Sequence, residues 1–253
     1  RGFSAMIEFE DVTVLGNEDG YNSTTNGQTD RAFIPDPVGT EINQVSLSYT
    51  GFENFVLRGG RQEINYGNQR FVGAVAWRQN HQSYDGIRAD WNAPSGSTAS
   101  YSYLGNVNRV LGEDSPRGSE QMNTHLLDLR HPLEGIGKLA AYAYHVDFDR
   151  SNVISTTTIG GRFAGEASLS GEARLLYTGE YAQQTDAGDN PVDVDADYWL
   201  AELGVDVNWM TVRLGNEHLG GSGATGDKFT TPLATLHKLN GYADMFLVTP
   251  DTG

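Results

Sequence analysis

Of the 17 basic residues in this chain only Lys138, Lys228 and Lys238 are lysine; the rest are arginine. Arginine carries a planar, permanently charged fork that grips a carboxylate through two parallel hydrogen bonds, which an ammonium group cannot do. Arg58, Arg88, Arg162, Arg174 and Arg213 lie in stretches where apolar and polar residues alternate, always on the side opposite the apolar series. Arg61 and Arg130 lie in similar stretches with a less regular alternation. A file of arginines on one face could line a channel and pass carboxylated solutes. Glu8, Glu10, Asp90, Asp128, Asp147, Glu180, Glu202 and Glu217 could face the same way. Cross-strand arginine–carboxylate ladders are a common structural filling of a polar interior, so solute binding and structural pairing both remain open from the residues alone.

Other chemistry finds no support. Without cysteine there is no disulfide framework and no thiolate metal site. Gly221 to Phe229 brushes against a phosphate-loop pattern, but Asp227 stands where lysine is needed and no hydroxyl follows Lys228. Asp193, Asp195 and Asp197 alternate like the start of a calcium loop; Tyr198 stands where that loop needs glycine and no glutamate closes it, so a solvated acidic loop is the first reading and a loose surface Ca²⁺ contact the alternative. The histidines, His81, His125, His131, His145, His218 and His237, show no pair at metal-ligand spacing within a helix. There is no Gly-x-Ser-x-Gly elbow, and nothing marks two carboxylates as a matched acid and base. No enzyme activity, cofactor or metal is therefore expected. The net charge of -16 argues against a nucleic-acid partner.

The elements that must hold these arginines are strands. Period-two alternation runs from Phe3, Ala5, Ile7 and Phe9 through Val45, Leu47 and Tyr49 to Trp199, Ala201, Leu203 and Val205, giving about eleven strands. Mean hydropathy is −0.45, and no apolar run reaches the roughly 18 to 20 residues of a membrane helix. A spanning β-strand needs only about 9–11 alternating residues. Short turns are expected near 50–54, 92–97, 131–138, 165–171 and 206–209, and longer polar stretches near 15–41, 65–83, 105–121, 183–196 and from 218 onward, with 149–154 a short exception. Short turns at one rim and long loops at the other describe an up-and-down transmembrane β-barrel rather than a soluble sandwich. Trp77, Trp91, Tyr101, Tyr103, Trp199 and Trp209 near strand ends suit the membrane interfaces. Bacterial barrels normally have an even strand number, so residues 1–253 read as a single outer-membrane barrel domain truncated at both ends. The loops near 15–41, 65–83 and 218–249 are candidates to fold inward, with Phe229 to Val248 apolar enough for a packed plug.

Longer motifs carry a resemblance. Leu57-Arg58-Gly59-Gly60-Arg61-Gln62-Glu63-Ile64-Asn65, running into Gly67-Asn68-Gln69-Arg70-Phe71-Val72-Gly73 and Trp77-Arg78-Gln79-Asn80, resembles the bacterial alginate export family. Asn106-Val107-Asn108-Arg109, Asn190-Pro191-Val192-Asp193 and Thr231-Pro232-Leu233-Ala234-Thr235-Leu236-His237-Lys238 extend the likeness in order along nearly the whole chain. The resemblance implies a monomeric barrel in outer-membrane lipid, with a basic lumen that passes an anionic polyuronate outward. It places Arg58, Arg61, Arg70, Arg78 and Arg88 in the matched block as channel-lining residues. The expected function is passage of acidic saccharide. The alternatives are a general small-solute porin with structural ladders, and a barrel whose surface loops act as receptor or adhesin.

Overall fold

Alternating sequence becomes eleven antiparallel strands that lie in one sheet in chain order. The computed structural model describes residues 2–241 and 247–253. The strands are β1 (Phe3–Val12), β2 (Gly39–Tyr49), β3 (Phe55–Gln62), β4 (Ser83–Asn92), β5 (Thr98–Asn108), β6 (Ser119–Leu133), β7 (Gly137–Val146), β8 (Thr156–Ser170), β9 (Ala173–Asp186), β10 (Asp195–Val207) and β11 (Met210–Leu219). A single turn of helix, α1 (His237–Asn240), follows. Among the described residues no helix is long and apolar enough to cross a membrane.

The connections alternate without a break. Those at 50–54, 93–97, 134–136, 171–172 and 208–209 are short, and those at 13–38, 63–82, 109–118, 147–155 and 187–194 are longer. The expected exception near 149–154 therefore disappears, because 147–155 belongs to the long-loop rim. Each short turn contains one residue at positive φ: Asn54, Gly96, Gly135, Gly171 or Asn208. Left-handed backbone is what glycine and asparagine tolerate best, which makes these turns readable in advance. Strands β6 and β8 run further toward the short-turn rim than their turn-like residues Pro132 and Gly165 suggest. Gly165 serves there to admit a close approach, since a Cβ would meet the Ile136 carbonyl oxygen at 2.1 Å.

The two faces of the sheet differ as the alternation requires. Phe3, Ile7, Leu47, Ile87, Ile159, Leu203 and Leu214 are exposed on one face, a lipid-facing band. At the short-turn rim Phe3, Tyr49, Phe52 and Phe55 form a run of ring contacts with successive centroids 4.7, 5.3 and 6.3 Å apart. Such rings favour the depth where apolar and hydrated surroundings meet. The opposite, inner face holds the buried core, including Ile64, Tyr84, Leu104, Leu126, Tyr198 and Phe229. Leu203→Arg is expected to lower unfolding stability by about 2–4 kcal/mol if this band lies in lipid. Denaturant unfolding of the reconstituted full-length protein checks this, and an unchanged stability would remove Leu203 from the lipid face.

Candidate channel lining and plug

The inner face is covered by two long connections. In 63–82 and in the chain after β11, Val72 and Leu233 form a parallel bridge. Gly73 N–H donates to the Leu233 carbonyl at 2.9 Å, and Thr235 N–H donates to the Gln69 carbonyl at 3.0 Å. Buried Gln82 donates to the Gly73 carbonyl at 2.9 Å, satisfying backbone that would otherwise be stranded in the interior. Phe71 sits among Tyr142, Tyr198 and Phe229, with ring centroids 5.3, 5.2 and 5.7 Å away. Two of the runs that carry the resemblance, 67–73 and 231–238, thus meet each other as one inward plug. Segment 13–38 joins them at the rim, where Asp36 accepts from Gln79 N–H at 3.1 Å. Of the expected plug Phe229 to Val248, residues 242–246 lie outside the described residues.

Most of the inner-face arginines are matched by carboxylates. Arg88 pairs with Asp90 at 2.9 Å, Arg130 with Asp128 at 2.6 Å, Arg162 with Glu180 at 2.5 Å and Arg213 with Glu202 at 2.7 Å. Arg174 pairs with Glu166 at 3.0 Å and also with Asp206. Arg58 differs: its Nε donates to the Ser48 hydroxyl at 3.1 Å, and no carboxylate lies within ion-pair distance among the described residues. Its direct cross-strand neighbour is Arg88, whose guanidinium also lies over the Tyr66 ring at 5.4 Å. Tyr66 is in the plug segment, and burial pushes its phenol up from the ordinary value, keeping it a neutral hydrogen-bond donor or acceptor toward Ser102 at 2.9 Å.

Three expected lining residues are placed elsewhere. Register puts Arg61 opposite Val45 and Asp85, in the outward-facing series, where it forms a bidentate pair with Asp85 at 2.8 and 3.3 Å. A strand flips face every residue, and Arg61 is an odd number of positions from Arg58. Arg70 is buried in the plug, its Nε 3.0 Å from Glu217, and it donates to Asn240 at 2.7 Å. Arg78 lies at the long-loop rim, 3.5 Å from Asp36 and over the Trp77 ring at 4.5 Å.

Sequence reading singled out Arg78 but not the second basic group to which it belongs. Arg78, Arg109, Arg117, Arg150 and Lys228 line a cavity of about 1020 Å³ on the long-loop side of the plug, against Glu120 and Asp251. Burial lowers the Arg109 guanidinium from its ordinary value while Glu120 opposes that shift, and Arg109 also donates to the Pro232 carbonyl at 3.2 Å. These residues sit in four separate connections, so no spacing rule could have grouped them. Asp195 and Asp197 open β10 as ordinary strand residues; Asp195 accepts from Gln183 at 3.2 Å.

A sheet with one apolar outward face, short turns at one rim, long loops at the other and a loop-filled polar interior is an outer-membrane β-barrel of the porin type. The chain belongs to the Alginate export family, whose model matches residues 3–217. No curated protein sequence matches it. Among solved structures it is similar to Acinetobacter baumannii OccAB2 (TM-score 0.64, 16% identity, 86% of this chain and 56% of that one). It is also similar to Pseudomonas aeruginosa OpdK with vanillate (TM-score 0.64, 11% identity, 87% and 56%). A third likeness is to P. aeruginosa OccK2 (OpdF) in complex with glucuronate (TM-score 0.60, 12% identity, 73% and 50%). The chain thus spans about half the length of these structures. At such identities the likeness concerns the fold.

Proposed function

We propose that this chain is the plug-bearing part of a passive outer-membrane channel that favours carboxylated solutes, acidic saccharides among them. The observation that carries the proposal is the Arg58–Arg88 pair, directly opposite each other in register on the inner face, with Asp90 the one carboxylate in an ion pair with either among the described residues. Like charges directly opposite one another are unfavourable unless an anion shares them. A carboxylate that replaced the missing counter-charge would be gripped in bidentate fashion by Arg58. The basic cavity beyond the plug would gather anions ahead of that point. The family's alginate and the vanillate and glucuronate of two fold neighbours are all carboxylates, which fits the same chemistry.

The test is single-channel conductance of the complete gene product in a planar bilayer, with and without oligouronate. Oligouronate is expected to interrupt the current, and Arg58→Ala and Arg88→Ala are each expected to weaken that block by roughly tenfold, the loss of one charge-assisted pairing. Current indifferent to oligouronate would leave a general small-solute porin, a reading favoured by the matched pairs of Arg130, Arg162, Arg174 and Arg213.

A further inference from the structure

Several carboxylates crowd together without an arginine at one corner of the long-loop rim. There Glu10 of β1 stands directly opposite Glu41 of β2, with Glu8 beside it on the same strand and Glu63 just past the end of β3. Among the described residues none of these four carboxylates forms an ion pair with lysine or arginine. Two of them, Glu10 and Glu63, meet at His81, two residues before β4. Both Glu63 Oε1 and Glu10 Oε1 converge on its Nδ1, at 2.7 and 3.2 Å. One ring nitrogen carries at most one proton and cannot satisfy two carboxylates equally.

We propose that Glu10, Glu63 and His81 bind a divalent first-row transition-metal cation of the zinc type. The three ligand atoms all lie within 4.8 Å of one another, and the groups are half-buried rather than solvated. Bonds of about 2.0–2.2 Å would set neighbouring ligand atoms roughly 3–3.5 Å apart, so the side chains need only small adjustments. The nitrogen ligand selects against calcium and magnesium, which take oxygen. Outer contacts hold the ligands in place. His81 N–H donates to Glu10 Oε2 at 2.9 Å, leaving Oε1 for the cation. Asn43 is wedged against the cluster, donating to Glu63 at 2.9 Å and to Glu8 at 3.0 Å. It is only 3% exposed, and its Oδ1 has no hydrogen-bond partner, so a buried oxygen is left over at the edge of the site. A cation there supplies the positive charge that four glutamates otherwise lack. It also ties both ends of the plug segment 63–82, at Glu63 and His81, to the wall strand β1.

The experiment is calorimetric titration of the chelator-stripped full-length protein in detergent with Zn²⁺, beside Ca²⁺ as a control. One equivalent of Zn²⁺ is expected to bind without competition from Ca²⁺. Glu63→Gln and His81→Gln are expected to weaken it by at least about tenfold. A second reading on unaltered protein is the visible absorption of Co²⁺, expected to show mixed nitrogen and oxygen ligation. Wild-type protein that takes up neither Zn²⁺ nor Co²⁺ would overturn the proposal and leave His81 a hydrogen-bonding neighbour of Glu10 and Glu63. So would a His81→Gln protein that binds Zn²⁺ as well as wild type does.

Discussion

Arg162→Ala is expected to destabilise the barrel by roughly 3–5 kcal/mol, whereas Arg58→Ala is expected to change its stability by less than about 1 kcal/mol. The contrast comes from what each substitution leaves behind. The Glu180 side chain is only 3% exposed and is held by Arg162 at 2.5 Å. Tyr142 adds a hydroxyl donor to the same carboxylate at 3.0 Å. Without Arg162 a buried negative charge keeps one neutral donor, and most of the cost is that stranded charge rather than the lost pair. The double variant Arg162→Ala/Glu180→Gln should therefore recover much of the loss. Arg58 leaves only the Ser48 hydroxyl behind. Denaturant unfolding of the reconstituted protein reads all three variants. Equal losses for Arg162→Ala and Arg58→Ala would mean that counter-charge matching does not distinguish structural from solute-facing arginines here.

Arg70→Met is expected to raise the open-channel conductance and make it noisier. The Arg70 side chain is 1% exposed and joins the plug to β11 through Glu217, at 3.0 Å and through a second contact at 3.2 Å. Tyr198 also donates to Glu217, at 2.8 Å, so the network binds plug, β10 and β11 together. Cutting it removes about 3–5 kcal/mol of attachment, enough to populate states in which the plug leaves the wall. The aromatic packing of Phe71 against Tyr142, Tyr198 and Phe229 remains, and it keeps the plug from being lost altogether. Single-channel recording of Arg70→Met beside Glu217→Gln checks the idea. Conductance unchanged in both would show that the aromatic cluster, and not the ion pair, holds the plug.

Much of this was legible in the residues. Alternation at period two comes from the pleat itself, so each strand announced both its existence and its two faces locally. The short turns announced themselves through Gly96, Gly135, Gly171, Asn54 and Asn208, residues able to take left-handed backbone. Arg88, Arg162, Arg174 and Arg213 stand opposite the apolar series for the same reason. Arg61 stands on the apolar side, because a face assignment inverts with every residue and the alternation around Gly59 and Gly60 is weak.

What the chain could not disclose by itself is who stands beside whom. Arg58 and Arg162 occupy similar polar positions in their strands, yet register gives one an arginine neighbour and the other Glu180. The plug anchor joins residues 147 positions apart, and the histidine of the rim cluster lies 71 positions from Glu10. Local sterics and the hydrophobic pattern determine strands, turns and the lipid-facing side. Only strand register and the inward folding of long loops decide which charges are neutralised, because those depend on contacts between segments that no local spacing encodes.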